Sequence, residues 1–138
     1  MAVGISRWLA PEIITPPRKR GTVPVLESKA ADVFAYGMLA LEVFTGKVPF
    51  DGERDEAVVL RISRGGRPVM PPNAGAVGLT DEIWNFLESC WQQNPKKRPT
   101  MREVVEKWQR FIGSDDFPEC VQTTLVISTS TLFSTPRD

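Results

Sequence analysis

The chain holds 138 residues, 41% hydrophobic and 25% charged, which suits one globular domain with a core of its own. Its 17 Lys and Arg balance its 17 Asp and Glu, so no overall field would draw it to nucleic acid or to an anionic membrane. It has no histidine, which removes the commonest acid–base group, and its two cysteines, Cys90 and Cys120, lack metal-like spacing; they are expected to be free thiols in a reducing compartment, with a disulfide as the alternative.

In chain order, the first signal is Arg7-Trp8-Leu9-Ala10-Pro11-Glu12. Pro11 fixes its own φ and lacks a donor, which marks a loop or a helix entry, and a carboxylate just after it could cap a short helix. Thr15 to Val25, TPPRKRGTVPV, is basic and proline-rich and reads as a surface loop. Ser28 to Gly46 predicts a helix, with Ser28 as N-cap and Gly46 just past the end. Apolar residues occupy all its faces, which predicts a helix buried at the centre of a protein core. It is too short to span a bilayer.

Arg54 to Arg64 predicts a shorter amphipathic helix closed by Gly65-Gly66, followed over 66–78 by an irregular loop rich in proline and glycine. Thr80 opens another helix, with Ile83, Trp84, Leu87, Cys90 and Trp91 on one face and Asn94-Pro95 as its stop. Thr100 and Glu103 fit a capping box. They open a fourth helix with the stripe Met101, Val104, Val105, Trp108, Phe111 and Ile112, stopped by Gly113. The Ser/Thr-rich tail, 114–138, is expected to be disordered, with Leu125-Val126-Ile127 a short strand or a docking segment. The expected fold is therefore all-α with four main helices over 1–113. No basic-then-apolar leader follows Met1 and no apolar run reaches spanning length, so a cytoplasmic or nuclear location is expected.

Three stretches carry a resemblance when taken together: Ala10-Pro11-Glu12, then Lys29-Ala30-Ala31-Asp32-Val33-Phe34-Ala35-Tyr36-Gly37, then Asn94-Pro95-Lys96-Lys97-Arg98-Pro99-Thr100. In this order the chain resembles, from about Gly4 to Ile112, the helical lower half of the large lobe of a eukaryotic protein kinase domain, of the tyrosine-kinase-like Ser/Thr group. The resemblance implies that Glu12 pairs with Arg98, a carboxylate meeting a planar fork of donors, although two solvated surface charges would be the plainer arrangement. It implies that Asp32 sits where related kinases bind backbone donors of a catalytic loop; otherwise Asp32 is a first-turn residue on water or its own helix N-terminus. It makes Ser6, Arg7 and Trp8 a shelf for the substrate residue beyond the phosphorylated one, with packing an equal alternative for Trp8. It makes the helix carrying Arg54, Arg61 and Arg64 a docking segment for substrates or regulators, against a plain solvated helix.

Phosphoryl transfer needs groups that hold phosphates, hold magnesium and orient the nucleophile. The sequence contains no G-x-G-x-x-G, no H-R-D and no D-F-G, and Asp115-Asp116-Phe117 in the tail is a coincidence. Ile5 stands where Ser/Thr kinases usually carry a threonine. The resemblance thus implies a piece that starts after the catalytic loop, is non-catalytic alone, and takes no cofactor, although a complete family member uses ATP and Mg2+. The alternative is a pseudokinase remnant acting as a helical protein-interaction module. Partners are expected to be proteins, with no nucleic acid and no membrane. Phe34, Tyr36 and Met38 are expected to lose cover on the face carrying Asp32, which would favour self-association.

Overall fold

The structure is a computed structural model and describes residues 4–16 and 28–113. Residues 17–25 of the basic proline-rich stretch, Cys120 and the Ser/Thr-rich tail lie outside the described residues. The described residues are all-helical: α1 (Pro11–Ile14), α2 (Lys29–Thr45), α3 (Asp55–Ser63), α4 (Asp81–Cys90) and α5 (Met101–Ile112). Three short 3-10 turns join them, at Ser6–Trp8, Ala74–Val77 and Pro95–Lys97. The fifth helix beyond the four expected is α1, a single turn with Pro11 in its first position. The missing N–H of proline costs nothing there.

The ends of α2 follow from two residues. Ser28 Oγ accepts from the Ala31 amide at 3.0 Å, and Gly46 takes φ 66°, the left-handed geometry that ends a helix. Thr80 caps α4 by accepting from the Ile83 amide at 3.3 Å. This helix stops at Cys90, short of Asn94-Pro95. Asn94 instead caps the Pro95–Lys97 turn, its Oδ1 accepting from the Lys96 amide at 3.0 Å. The loop over 66–78 is irregular as expected, except for the turn Ala74–Val77.

The core forms where α2 packs on α4. Val33, Phe34, Met38 and Leu41 of α2 and Ile83, Trp84, Leu87 and Cys90 of α4, with Trp91 just beyond it, are all buried. The two indoles of Trp84 and Trp91 meet edge to face with centroids 5.5 Å apart. Gly37 makes this approach possible: a Cβ there would lie 2.5 Å from Trp91 Nε1 and 2.9 Å from Cys90 Cβ.

The central helix is not covered all round. Phe34 and Met38 keep full cover, contrary to expectation, and the open strip runs through Asp32, Leu39 (51% exposed) and Val43 (76% exposed), with Ala35 and Tyr36 half-buried along it. The helical period explains the difference: positions 34, 38 and 41 project opposite to 32, 39 and 43. Asp32 is therefore an exposed carboxylate in the first turn of α2, where the helix dipole favours it.

The described residues fall into two compact units, divided between Glu103 and Val104. The capping box lies in the first. Thr100 N–H and Oγ1–H donate to Glu103 Oε2 at 2.7 and 2.8 Å, and the Glu103 amide returns a bond to Thr100 Oγ1 at 3.3 Å. In the second, Trp108 and Phe111 meet edge to face at 5.4 Å. The expected stripe of α5 is narrower than its sequence suggests, since Val104 and Phe111 are buried while Met101 and Val105 are exposed.

Candidate functional site

The turn α1 presents Glu12, and the extended residue after the Pro95–Lys97 turn presents Arg98. The structure brings the two side chains together as a bidentate pair, Nη1 to Oε1 at 2.7 Å and Nη2 to Oε2 at 2.8 Å. The Arg98 side chain is fully buried and that of Glu12 is 21% exposed. Arg98 also donates from Nε to the Gln92 carbonyl and from Nη1 to the Ala30 carbonyl, both at 2.8 Å. One guanidinium thus joins α1, the start of α2 and the segment after α4.

A second arginine, which the sequence did not single out, completes this cluster. Arg67 and Arg98 both lie over the Phe34 ring, at 5.0 and 5.1 Å from its centroid. Arg67 donates to the carbonyls of Trp91 (2.6 Å), Gly66 (2.7 Å) and Ile62 (3.3 Å), and to Gln93 Oε1 (2.6 Å). Burial, and then the positive charge of Arg98, hold the Arg67 guanidinium down to about 10, while Glu12 works in the other direction. Arg67 stays charged at neutral pH. No motif marks it, because its partners are carbonyl groups.

Of the shelf residues, Ser6 is buried and its Oγ has no hydrogen-bond partner among the described residues. Arg7 turns inward: its Nε meets Asp55 Oδ1 at 2.9 Å, and its Nη atoms reach backbone carbonyls of the loop before α3. Trp8 is half-buried and donates from Nε1 to Glu42 Oε2 at 3.0 Å. Trp8, Asp32, Ala35, Tyr36, Leu39 and Glu42 line a shallow, open cleft of about 450 Å³ along the uncovered strip of α2. Asp32 and Trp8 therefore meet at one surface, whereas Glu12 and Arg98 form a separate structural cluster.

The three arginines assigned to docking are exposed on or beside α3. Arg61 pairs with Glu53 at 2.5 Å and lies 5.7 Å from the Phe50 ring centroid, while Arg54 and Arg64 make no ion pair among the described residues. Arg61 also borders a groove of about 500 Å³ whose lining includes Pro49, Phe50, Pro68, Val69 and Pro71. Among the described residues, no cluster of acidic or cysteine side chains could hold a metal ion, and no helix is long and apolar enough to cross a membrane.

Residues 3–108 match the family of protein tyrosine and serine/threonine kinases. The chain belongs to this family. Relatives include the RGS domain-containing serine/threonine-protein kinase A of Dictyostelium discoideum, 30% identical over 132 residues, covering 96% of this chain and 10% of that protein. Tyrosine-protein kinase Src64B of Drosophila melanogaster is 33% identical over 113 residues, covering 81% of this chain and 18% of that protein. The human cytoplasmic tyrosine-protein kinase BMX is 35% identical over 100 residues, covering 72% of this chain and 13% of that protein. The chain spans less than a fifth of the length of each of these three relatives. Both serine/threonine and tyrosine kinases are among them, so the kinase-domain piece is common to both classes.

Proposed function

We propose that residues 4–112 are the substrate-side part of a protein kinase domain and that this chain alone does not transfer phosphate. The family reaction moves the γ-phosphoryl group of ATP to a protein hydroxyl with magnesium, and it depends on positioning and on electrostatic stabilisation of the transferred group. The bidentate Glu12–Arg98 pair carries the reading, because it ties the Ala-Pro-Glu turn to the Arg-Pro segment as a kinase large lobe requires. The phosphate-holding and magnesium-holding motifs do not occur in the 138 residues, which supports the non-catalytic half of the proposal. Ser6, Arg7 and Trp8 border the substrate position, and Ile5 in place of the usual threonine weighs against ordinary Ser/Thr activity. No cofactor is assigned to this chain; ATP and Mg2+ belong to a complete family member. A thermal melt of the purified chain with and without Mg-ATP tests this. The expected midpoint is unchanged, and a shift that saturates at micromolar nucleotide overturns the proposal.

A second reading, a pseudokinase remnant that binds other proteins through α3, draws support from the groove beside Phe50 and from the exposed Arg54 and Arg64. The gene separates the two. An in-frame glycine-rich loop, H-R-D and D-F-G upstream of the Met1 codon favour the first reading, and a short transcript without them favours the second.

A further inference from the structure

Arg7 stands in the segment assigned to substrate, yet its guanidinium is spent elsewhere. Its side chain is only 12% exposed. It donates from Nη1 to the carbonyls of Pro49 (2.8 Å) and Phe50 (2.7 Å), from Nη2 to the carbonyl of Glu53, and from Nε to Asp55 Oδ1 in the first turn of α3 (2.9 Å). Three carbonyls of one short loop therefore converge on one cation. Such convergence orients carbonyl dipoles that would otherwise repel one another, and the cation offsets that repulsion.

The same loop carries the only non-glycine residue with positive φ among the described residues, Phe50 at φ 57°. A bulky L side chain is disfavoured there and persists only when its surroundings impose the conformation. Phe50 is also a wall of the groove beside α3, and Arg61 lies over its ring. The carbonyl that receives Arg7 Nη1 at Phe50 also receives the Glu53 amide at 3.1 Å, so the turn and the clamp share an atom. Next to Arg7, Trp8 fixes the other end of the segment by its bond to Glu42 of α2.

We propose that Arg7 is a positioning residue which imposes the 49–53 conformation, and with it the shape of the groove beside α3, from the segment preceding Ala-Pro-Glu. The Ser6–Trp8 turn and the groove are then two ends of one device: displacing the turn withdraws the cation, frees the three carbonyls and lets Phe50 leave its left-handed geometry. By linkage, a change in the loop is felt equally at the turn. A lysine at position 7 carries one compact charge and cannot span three carbonyls and a carboxylate at once.

The test is residue-resolved amide hydrogen exchange by NMR on the whole chain, comparing wild type with Arg7→Lys and Asp55→Asn. In Arg7→Lys the Glu53 amide is expected to exchange at least tenfold faster, while core amides of α2 and α4 keep their wild-type rates. Asp55→Asn, at a partly exposed site, keeps an acceptor oxygen for Arg7 Nε but removes the negative charge that holds the guanidinium; it is expected to raise Glu53 exchange a few-fold and to shift the Trp8 indole proton without moving those of Trp84 and Trp91. Wild-type exchange at Glu53 in a folded Arg7→Lys overturns the proposal, as does acceleration spread uniformly through α2 and α4. If Arg7→Lys fails to fold, Asp55→Asn decides: the local pattern supports the proposal, and unchanged Glu53 exchange with an unmoved Trp8 resonance refutes it.

Discussion

Replacing Glu12 with alanine removes both carboxylate oxygens that face Arg98 and leaves a guanidinium with only two backbone carbonyls, those of Ala30 and Gln92. Nη2 then has no protein partner, at a guanidinium that is fully buried in the wild-type chain. The positive charge of Arg67 over the same Phe34 ring also loses the carboxylate that opposes it. Breaking a buried pair from one side costs ~3–5 kcal/mol. Glu12 is 21% exposed, so some water reaches the site and the loss should fall near the lower end, ~3 kcal/mol. That is a large share of the ~5–15 kcal/mol a domain of this size keeps in reserve. Arg98→Ala should cost more, because it also strands two carbonyls and strips one face of Phe34. Urea melts of both single variants and the double variant give the coupling energy directly, which is expected to exceed ~2 kcal/mol for a bidentate pair held this way. A coupling below ~0.5 kcal/mol would mean that Glu12 and Arg98 interact no more strongly than a surface ion pair.

Gly37→Ala should lower the melting temperature even though alanine is the better helix former by ~1 kcal/mol, because the new Cβ meets Trp91 and Cys90 and overpacking costs ~1–3 kcal/mol. Burial pushes the Cys90 thiol up to about 11, with Ser89 and Arg98 opposing more weakly. The unfolded thiol ionises near 8.5–9, so the unfolded state loses its proton first; stability is whole below pH 8.5 and should fall by ~2–3 kcal/mol as pH rises from about 9 to 11, and Cys90→Ala should flatten that slope in denaturant melts. In a Cys120→Ser background, a thiol reagent at pH 8 should find no reactive group in the native chain and one after denaturation. On the open strip of α2, Leu39→Glu with Val43→Glu should convert concentration-dependent sedimentation into that of a monomer, and a wild-type chain already monomeric at high concentration would count against self-association through this face.

Helix ends were the most legible part of the sequence, because each rests on local chemistry: Ser28, Gly46 and Thr80 act within one turn of where they stand, and Thr100 with Glu103 closes its box over three residues. The core face of α4 was equally plain from the spacing of its aromatic and aliphatic residues. On α2 the pattern could not say which side is covered, since apolar residues occur all round and only the packing partner, α4, decides. The Glu12–Arg98 pair was reachable through the resemblance alone, since no local rule joins residues 86 positions apart. Arg67 and the inward turn of Arg7 left no signal, because both bind mainly main-chain carbonyls, and every residue offers one of those.

Whether this chain alone transfers phosphate is decided by measuring phosphoryl transfer itself. The purified chain is incubated with magnesium, γ-labelled ATP and a mixed protein substrate that offers serine, threonine and tyrosine hydroxyls. Label is expected at the level of the protein-free blank, at every concentration of the chain. Label that rises in proportion to the chain and disappears in the Arg98→Ala variant would contradict it.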